Sequence, residues 1–266
     1  MFTPVQGSQG SSRHDRVSEI EPAYDVHLGV VCPMANEALT ASRFVSAVLS
    51  ECRTEGVRET TFFVILDRAG KDDTLERLRS LAAEELDLRV IWAPENRNVV
   101  DGYVRGYRDA LAAGCDWILE IDAGFSHQPA DIPQFFRKMS EGNVCVFGSR
   151  FCTGGSIATS AKRHFVSRSG TMLANLLLGT RLTDMTSGFE LFSRPVLTAI
   201  LASGIRSRAH FFQTEIRACC RNLRIVEVPI RYETASDGVT IAVLGDALLN
   251  LLRLTWKRFT GTLYLR

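Results

Sequence analysis

The chain has 266 residues, of which 45% are hydrophobic by type, enough to bury one large core or two small ones. Its 31 Lys and Arg nearly cancel its 30 Asp and Glu, leaving a formal net charge of +1. That balance argues against nucleic acid or any strongly charged macromolecule as a partner, and no uninterrupted run of about 18 apolar residues is present to span a membrane as a helix.

Residues 1–24 are polar, lack an apolar stretch of the signal-peptide kind, and are expected to form a disordered leader. From there the pattern alternates. VHLGVVC (26–32) is a short β-branched run that predicts a strand, and EALTASRFVSAVLSEC behind it has helical spacing. TFFVILD (61–67) with DTLERLRSLAAEEL, then DLRVIWA (87–93) with VDGYVRGYRDALAAG, repeat that unit. WILEID (117–122), a helix over ADIPQFFRKMSEG and a strand at VCVFGS (144–149) close the first half. Strands separated by helices of about 10–15 residues predict βαβ units, hence an α/β fold with a single, mainly parallel, doubly wound sheet flanked by helices.

The second half is less regular. TGGSIATSAKR (153–163) has the composition of a mobile loop, and RSGTMLANLLLG (168–179) predicts a helix capped at Gly179. SGFELFS (187–193), a helical FFQTEIRACCRN and LRIVEVPIRY (223–232) follow. The last helix, within 241–266, carries Asp246, Asn250, Arg253 and Lys257 as a polar stripe on a broadly apolar cylinder. It reads as packed on the preceding 25–240 domain or as lying on a membrane surface. Seven scattered cysteines without a C-x-x-C pair fit reduced, mostly buried thiols in a cytosolic protein, which would be cytoplasmic and at most peripheral to the membrane.

In sheets of this kind ligands bind beyond the carboxyl ends of the strands, so the polar residues that follow each strand are the candidates for function. They are Asn36 and Glu37, Asp67, Asp122 and Arg150.

These residues lie in ordered motifs: PMANE (33–37), D-x-x-G-K-D-D-T (67–74), IDAGFSHQP (121–129), GSRFCTGG (148–155), D-x-TSGFELF (184–192) and RIVEVPIRY (224–232). Over roughly residues 26–240 the chain resembles the family 2 glycosyltransferases, and within them the dolichyl- and polyprenyl-phosphate mannosyltransferase branch. The resemblance implies a GT-A fold, a GDP- or UDP-linked sugar as donor, and transfer of a hexose or N-acetylhexosamine with inversion at the anomeric carbon. It sets Pro33 and Glu37 against the nucleoside, beside Asn36, and Asp67 at the base edge. Asp67 also reads as a helix N-cap or turn acid.

By the same resemblance Asp122 opens an acid-x-acid motif that holds Mg²⁺ or Mn²⁺, but Gly124 stands where the second acid belongs. One carboxylate suffices when substrate phosphates and water complete the shell, so a weakened metal site is expected. Arg150 is expected to grip a phosphate. Lys162, Arg163, His164 and Arg168 follow the mobile loop, with Arg163 and Arg168 favoured for the acceptor's anion. Glu215 is the candidate for acid–base work or for orienting a substrate, and Asp184 either lines the acceptor site or caps a turn.

One departure bears on the acceptor. After EVPI the branch carries a basic Gly-x-Ser-Lys type loop, whereas here RYETASDGVTI keeps Arg231 and has no Lys. That leaves open a polyprenyl-phosphate or a hydroxyl acceptor, on a small molecule or a lipid-linked sugar, and a homo-oligomer is also left open. Two other readings compete: a nucleotide-sugar-binding protein that has lost catalysis, suggested by Gly124, and a nucleotidyltransferase, disfavoured because VCPMANEA has neither a Gly-rich loop nor a Lys.

Overall fold

The computed structural model describes residues 23–159, 161–233 and 241–265, and among these the side chains of 161–163 and 241–243 are left aside; the leader expected at the N-terminus lies outside the described residues, apart from its last two positions. A seven-stranded sheet is built from β1 (Tyr24–Pro33), β2 (Val57–Leu66), β3 (Leu88–Trp92), β4 (Trp117–Glu120), β5 (Cys145–Ser149), β7 (Glu190–Ser193) and β8 (Ile225–Pro229). Their order is β3-β2-β1-β4-β7-β5-β8. A second, two-stranded sheet pairs β6 (Ser156–Ile157) with β9 (Arg231–Tyr232).

The β-branched strands are buried on both faces, which is why they read as near-continuous apolar runs. Leu28, Val30 and Cys32 of β1 pack on one side with α1 (Ala41–Thr54), α2 (Thr74–Ala82) and α4 (Ile132–Ser140). Val31, Phe63 and Ile118 face the other side, against α3 (Val99–Ala112), α5 (Ala161–Leu178), α6 (Arg194–Ser203), α7 (Phe211–Cys219) and α8 (Ile241–Phe259). This is the expected doubly wound α/β arrangement. All seven cysteines are free, six of them buried and Cys152 half-buried.

Three features were not legible in the pattern. α6 was not anticipated; Pro195 in its first turn sets it going. The segment expected as a mobile loop, 153–163, contains β6 and the start of α5, because Ser156 N and Ala158 N donate to the carbonyls of Ile230 and Tyr232. The third is β7, which runs antiparallel between β4 and β5, with Glu120 opposite Glu190. Its amino end therefore lies beside the carboxyl ends of its neighbours, and the TSGF segment enters at the same edge as Asp122 and Arg150.

α8 packs against α5 and α7 with its polar stripe turned inward. Asn250 is buried, its amide donating to Asp246, and Arg253 reaches Glu215 of α7. The outward positions are Leu244, Leu248, Leu249, Leu252, Trp256 and Phe259, with Trp256 71% exposed. Neighbouring α5 likewise exposes Phe165, Val166, Met172, Leu173 and Leu176. α8 thus turns an apolar face to the outside and a mixed one to the protein, where Leu251 and Leu254 enter the core beside the polar stripe.

Candidate active site

At the carboxyl edge of the sheet lies a cleft of about 590 Å³. Of the residues expected at a common site, Pro33, Glu37, Asp122 and Arg150 line it. Asn36 and Asp67 do not. Asn36, at φ 59°, accepts from Lys71 N (2.8 Å) and donates to the Ala69 carbonyl (3.2 Å), so it clamps the two neighbouring loops together. Asp67 accepts from Ala69 N at 2.8 Å, the turn-acid role left open above. The D-D-T motif completes the clamp: Thr74 Oγ1 accepts from Glu37 N, and Asp72 accepts from Ala38 N. What these residues fix is the position of Glu37.

The Glu37 carboxylate accepts from Thr40 Oγ1 at 2.6 Å and lies against Gly124. A Cβ on Gly124, whose φ is +70°, would meet both carboxylate oxygens of Glu37 at 2.9 Å. Glu37 thus fills the space a side chain at 124 needs, which accounts for the missing acid in physical terms. Gly124→Asp is expected to cost about 2 kcal/mol or more, from left-handed strain of about 1–2 kcal/mol plus like-charge repulsion. Urea unfolding checks this; an unchanged midpoint would mean that Glu37 moves aside freely.

Asp122 is delivered by β4 and held from three sides. One oxygen accepts from the Tyr103 hydroxyl of α3; the backbone N–H donates to His127 Nδ1 at 3.2 Å. Gly188 of the TSGF segment leaves room for it, since a Cβ there would sit 3.2 Å from both Asp122 oxygens. His127 is buried, stacked on Phe189, and burial pulls its pKa down to about 4, so it is neutral with its ring proton on Nε2. Its role is to support the loop. Among the described residues no group of three metal-ligating side chains occurs. A closed protein cage is thus absent among the described residues, and a cation at Asp122 would need substrate phosphates and water to complete its shell.

Arg150 and Asp184, expected on donor and acceptor sides, form one unit. Nε and Nη2 of Arg150 grip the two Asp184 oxygens at 2.7 and 2.9 Å, and Nη2 also donates to Thr186 Oγ1 at 2.6 Å. Burial alone would raise the Asp184 pKa; the Arg150 charge and hydrogen bonds bring it down to about 2. Asp184 is fully buried and holds Arg150 at the cleft wall instead of facing the cleft itself. Nη1 of Arg150 has no protein partner among the described residues. Arg168 is exposed, shares the Phe151 ring with Arg150 and has no carboxylate partner among the described residues. The Arg163 side chain lies outside the described residues. Arg231 is taken by Asp131 at 2.9 Å.

Glu215 does not line the cleft. One oxygen accepts from Ser207 N, Ser207 Oγ and Arg206 N at 3.0, 2.7 and 3.2 Å, and the other from Arg253. Its neighbours on α7, Gln213 and Thr214, line the cleft instead. Beneath the site sits Arg217, fully buried, which lies outside every motif noted above. It donates to Glu190 (2.6 Å) and to the carbonyls of Gly148 (3.1 Å), Ser187 (3.0 Å) and Asp184. That ties the Arg150 strand end to the TSGF segment. Burial, with Glu190 across the ladder, pushes the Glu120 carboxyl well above its usual range.

The family model for "Glycosyl transferase family 2" matches residues 29–201, spanning β1 through α6 and every strand tip described above. The chain belongs to glycosyltransferase family 2. This glycosyltransferase is 30% identical over 196 residues to the undecaprenyl-phosphate mannosyltransferase of Micrococcus luteus, covering 71% of this chain and 80% of that protein. It is 26% identical over 215 residues to the polyprenol monophosphomannose synthase of Mycolicibacterium smegmatis, covering 79% of each. In fold it is similar to glucosyl-3-phosphoglycerate synthase from Mycobacterium tuberculosis, solved with Mn²⁺, UDP-glucose and phosphoglyceric acid. The TM-score is 0.60 at 19% identity, covering 88% of this chain and 79% of that one. The GT-A fold expected from the motifs is the fold observed.

Proposed function

We propose that this glycosyltransferase moves a hexose or N-acetylhexosamine from a GDP- or UDP-linked donor onto a polyprenyl phosphate, inverting the anomeric carbon. The observation that carries the reading is the cleft wall built by α5 and α8. Leu173 and Leu248 line the cleft and are also part of the exposed apolar face. An isoprenoid chain can lie along that face while its phosphate enters the cleft, and the face itself suits the surface of a membrane. No helix among the described residues is long and apolar enough to cross one. The names of the two relatives, one for undecaprenyl phosphate and one for polyprenol monophosphomannose, support the same acceptor class.

The charges favour a phosphate over a hydroxyl acceptor. A hydroxyl must lose its proton as it attacks, whereas a phosphate is already ionised. Among the described residues the carboxylates that line the cleft are Glu37 and Asp122, on the donor side in this reading. Glu215 is committed to Arg253 and Ser207, and His127 already uses Nδ1 as an acceptor. Arg168 and Nη1 of Arg150 offer cations to the acceptor phosphate, with Arg163 nearby in sequence. Asp122 would hold a divalent cation, which neutralises the departing diphosphate as a Lewis acid. Glu37 and Pro33 would meet the nucleoside.

The test offers GDP- and UDP-sugars to the chain with polyprenyl phosphate in vesicles or with soluble hydroxyl acceptors, and follows products by mass. The expected result is a sugar-phosphate ester of the prenol with release of nucleoside diphosphate, and a blue shift of Trp256 emission on the vesicles. Transfer confined to hydroxyl acceptors, or nucleotide binding without transfer, would overturn the reading.

A further inference from the structure

A second cleft, of about 500 Å³, lies apart from the catalytic one, between the N-terminal end of α3 and the segment that joins α6 to α7. Four arginines line it: Arg97 and Arg108 from the α3 side, Arg206 and Arg208 from the segment. All four are exposed, and none of their guanidinium groups has a hydrogen bond or an ion pair among the described residues. Arg105, between Arg97 and Arg108 in sequence, is by contrast bound by Glu95 and Asp109 at 2.9 and 2.8 Å. In a chain of net charge +1 such a gathering of uncompensated cations is a local feature, not a consequence of composition.

The acids nearby do not cancel it. Asp101 lines the cleft, but its Oδ2 accepts from Arg97 N at 2.9 Å and Asn98 Nδ2 at 3.2 Å, so it serves the helix cap. Asn98 Oδ1 in turn takes the N–H groups of Val100 and Asp101. With those amides occupied, side chains and not the helix end supply the donors. Asp246 accepts from the Asn250 amide at 3.0 Å and from the backbone N–H of Arg208 at 3.4 Å, not from its guanidinium.

The wall is also fixed in place. Buried Glu215 holds Arg206 N and both the N–H and hydroxyl of Ser207, and Arg253 of α8 anchors Glu215 from behind. Glu215, expected at the catalytic cleft yet turned away from it, thus shapes this one. Val100 and Ile205 give the lining an apolar share.

We propose that this cleft is a second anion site, built for a phosphoryl group of a phosphate ester or diphosphate. Guanidinium forks match phosphate oxygens two at a time, and four like charges around one concavity repel one another until an anion enters. An apolar patch beside the forks suits an ester better than a bare ion. The phosphoryl group has two sources: a soluble phosphate compound, or a lipid headgroup, since α8 adjoins the cleft through Asp246. This site stands or falls apart from the transfer reaction proposed above.

The experiment uses the full chain, inorganic pyrophosphate as the soluble probe, and vesicles with or without phosphatidylglycerol as the lipid probe. Arg206→Gln/Arg208→Gln and Arg97→Gln/Arg108→Gln are compared with wild type and with Arg89→Gln, an exposed arginine on β3. Calorimetry is expected to show wild type and Arg89→Gln taking up one more equivalent of pyrophosphate than either double variant. Should the source be a headgroup, affinity for phosphatidylglycerol vesicles falls about tenfold or more in the double variants instead, as when charge-assisted hydrogen bonds are lost. Equal pyrophosphate stoichiometry and equal vesicle binding across all four proteins would overturn the proposal. Melting curves check the fold, and either double variant that folds is sufficient to decide.

Discussion

Replacing Arg217 with Met is expected to lower folding stability by about 3–5 kcal/mol, the loss typical when one member of a buried ion pair is removed. The guanidinium is fully buried between Glu190 and three backbone carbonyls, and truncation strands all of them without water. Urea unfolding measures the loss. Its pH dependence has a definite sign. Burial raises the Glu190 pKa, and without Arg217 it rises further, so the folded variant holds a proton there that the unfolded chain releases above its ordinary value. Such a group contributes stability at low pH that disappears as pH rises through the folded pKa. The penalty should therefore be smaller near pH 5 than near pH 8, and Arg217→Met/Glu190→Gln should recover part of it. A penalty that is independent of pH would show that the carbonyls, and not Glu190, dominate.

The second large effect falls on activity and leaves the fold intact. Asp122→Asn is expected to reduce kcat/KM by about 10²–10³-fold, the range found when one group that stabilises developing charge is lost. Stability should change little, because the Asp122 side chain is 38% exposed and Asn can still accept from Tyr103. Loss of activity should be accompanied by a weaker dependence on added Mg²⁺ or Mn²⁺, read by titrating the metal. A variant that keeps activity within about threefold would remove Asp122 from the leaving-group role, since that corresponds to under 1 kcal/mol.

These expectations draw on two different kinds of information. The strands, most helices and the residues at the strand tips were set by the chain itself, because apolar periodicity and β-branched runs are local properties that burial on both faces of a sheet enforces. The motifs likewise marked Pro33, Glu37, Asp122 and Arg150 before any contact was visible. Where their partners lie was another matter. Arg150 and Asp184 are 34 positions apart, and Glu215 and Arg253 are 38 apart.

Tertiary structure alone decided that Asp184 neutralises Arg150, that Glu215 turns toward α8, and that Glu37 occupies the space beside Gly124. It also decided that the polar stripe of α8 faces inward, and that four arginines, from α3, the turn before it and a distant loop, share one cleft. The reason is that spacing fixes which face of an element a side chain occupies, while the identity of what meets that face depends on topology. Here the antiparallel β7 folds the TSGF segment back over the strand tips and so chooses the partners.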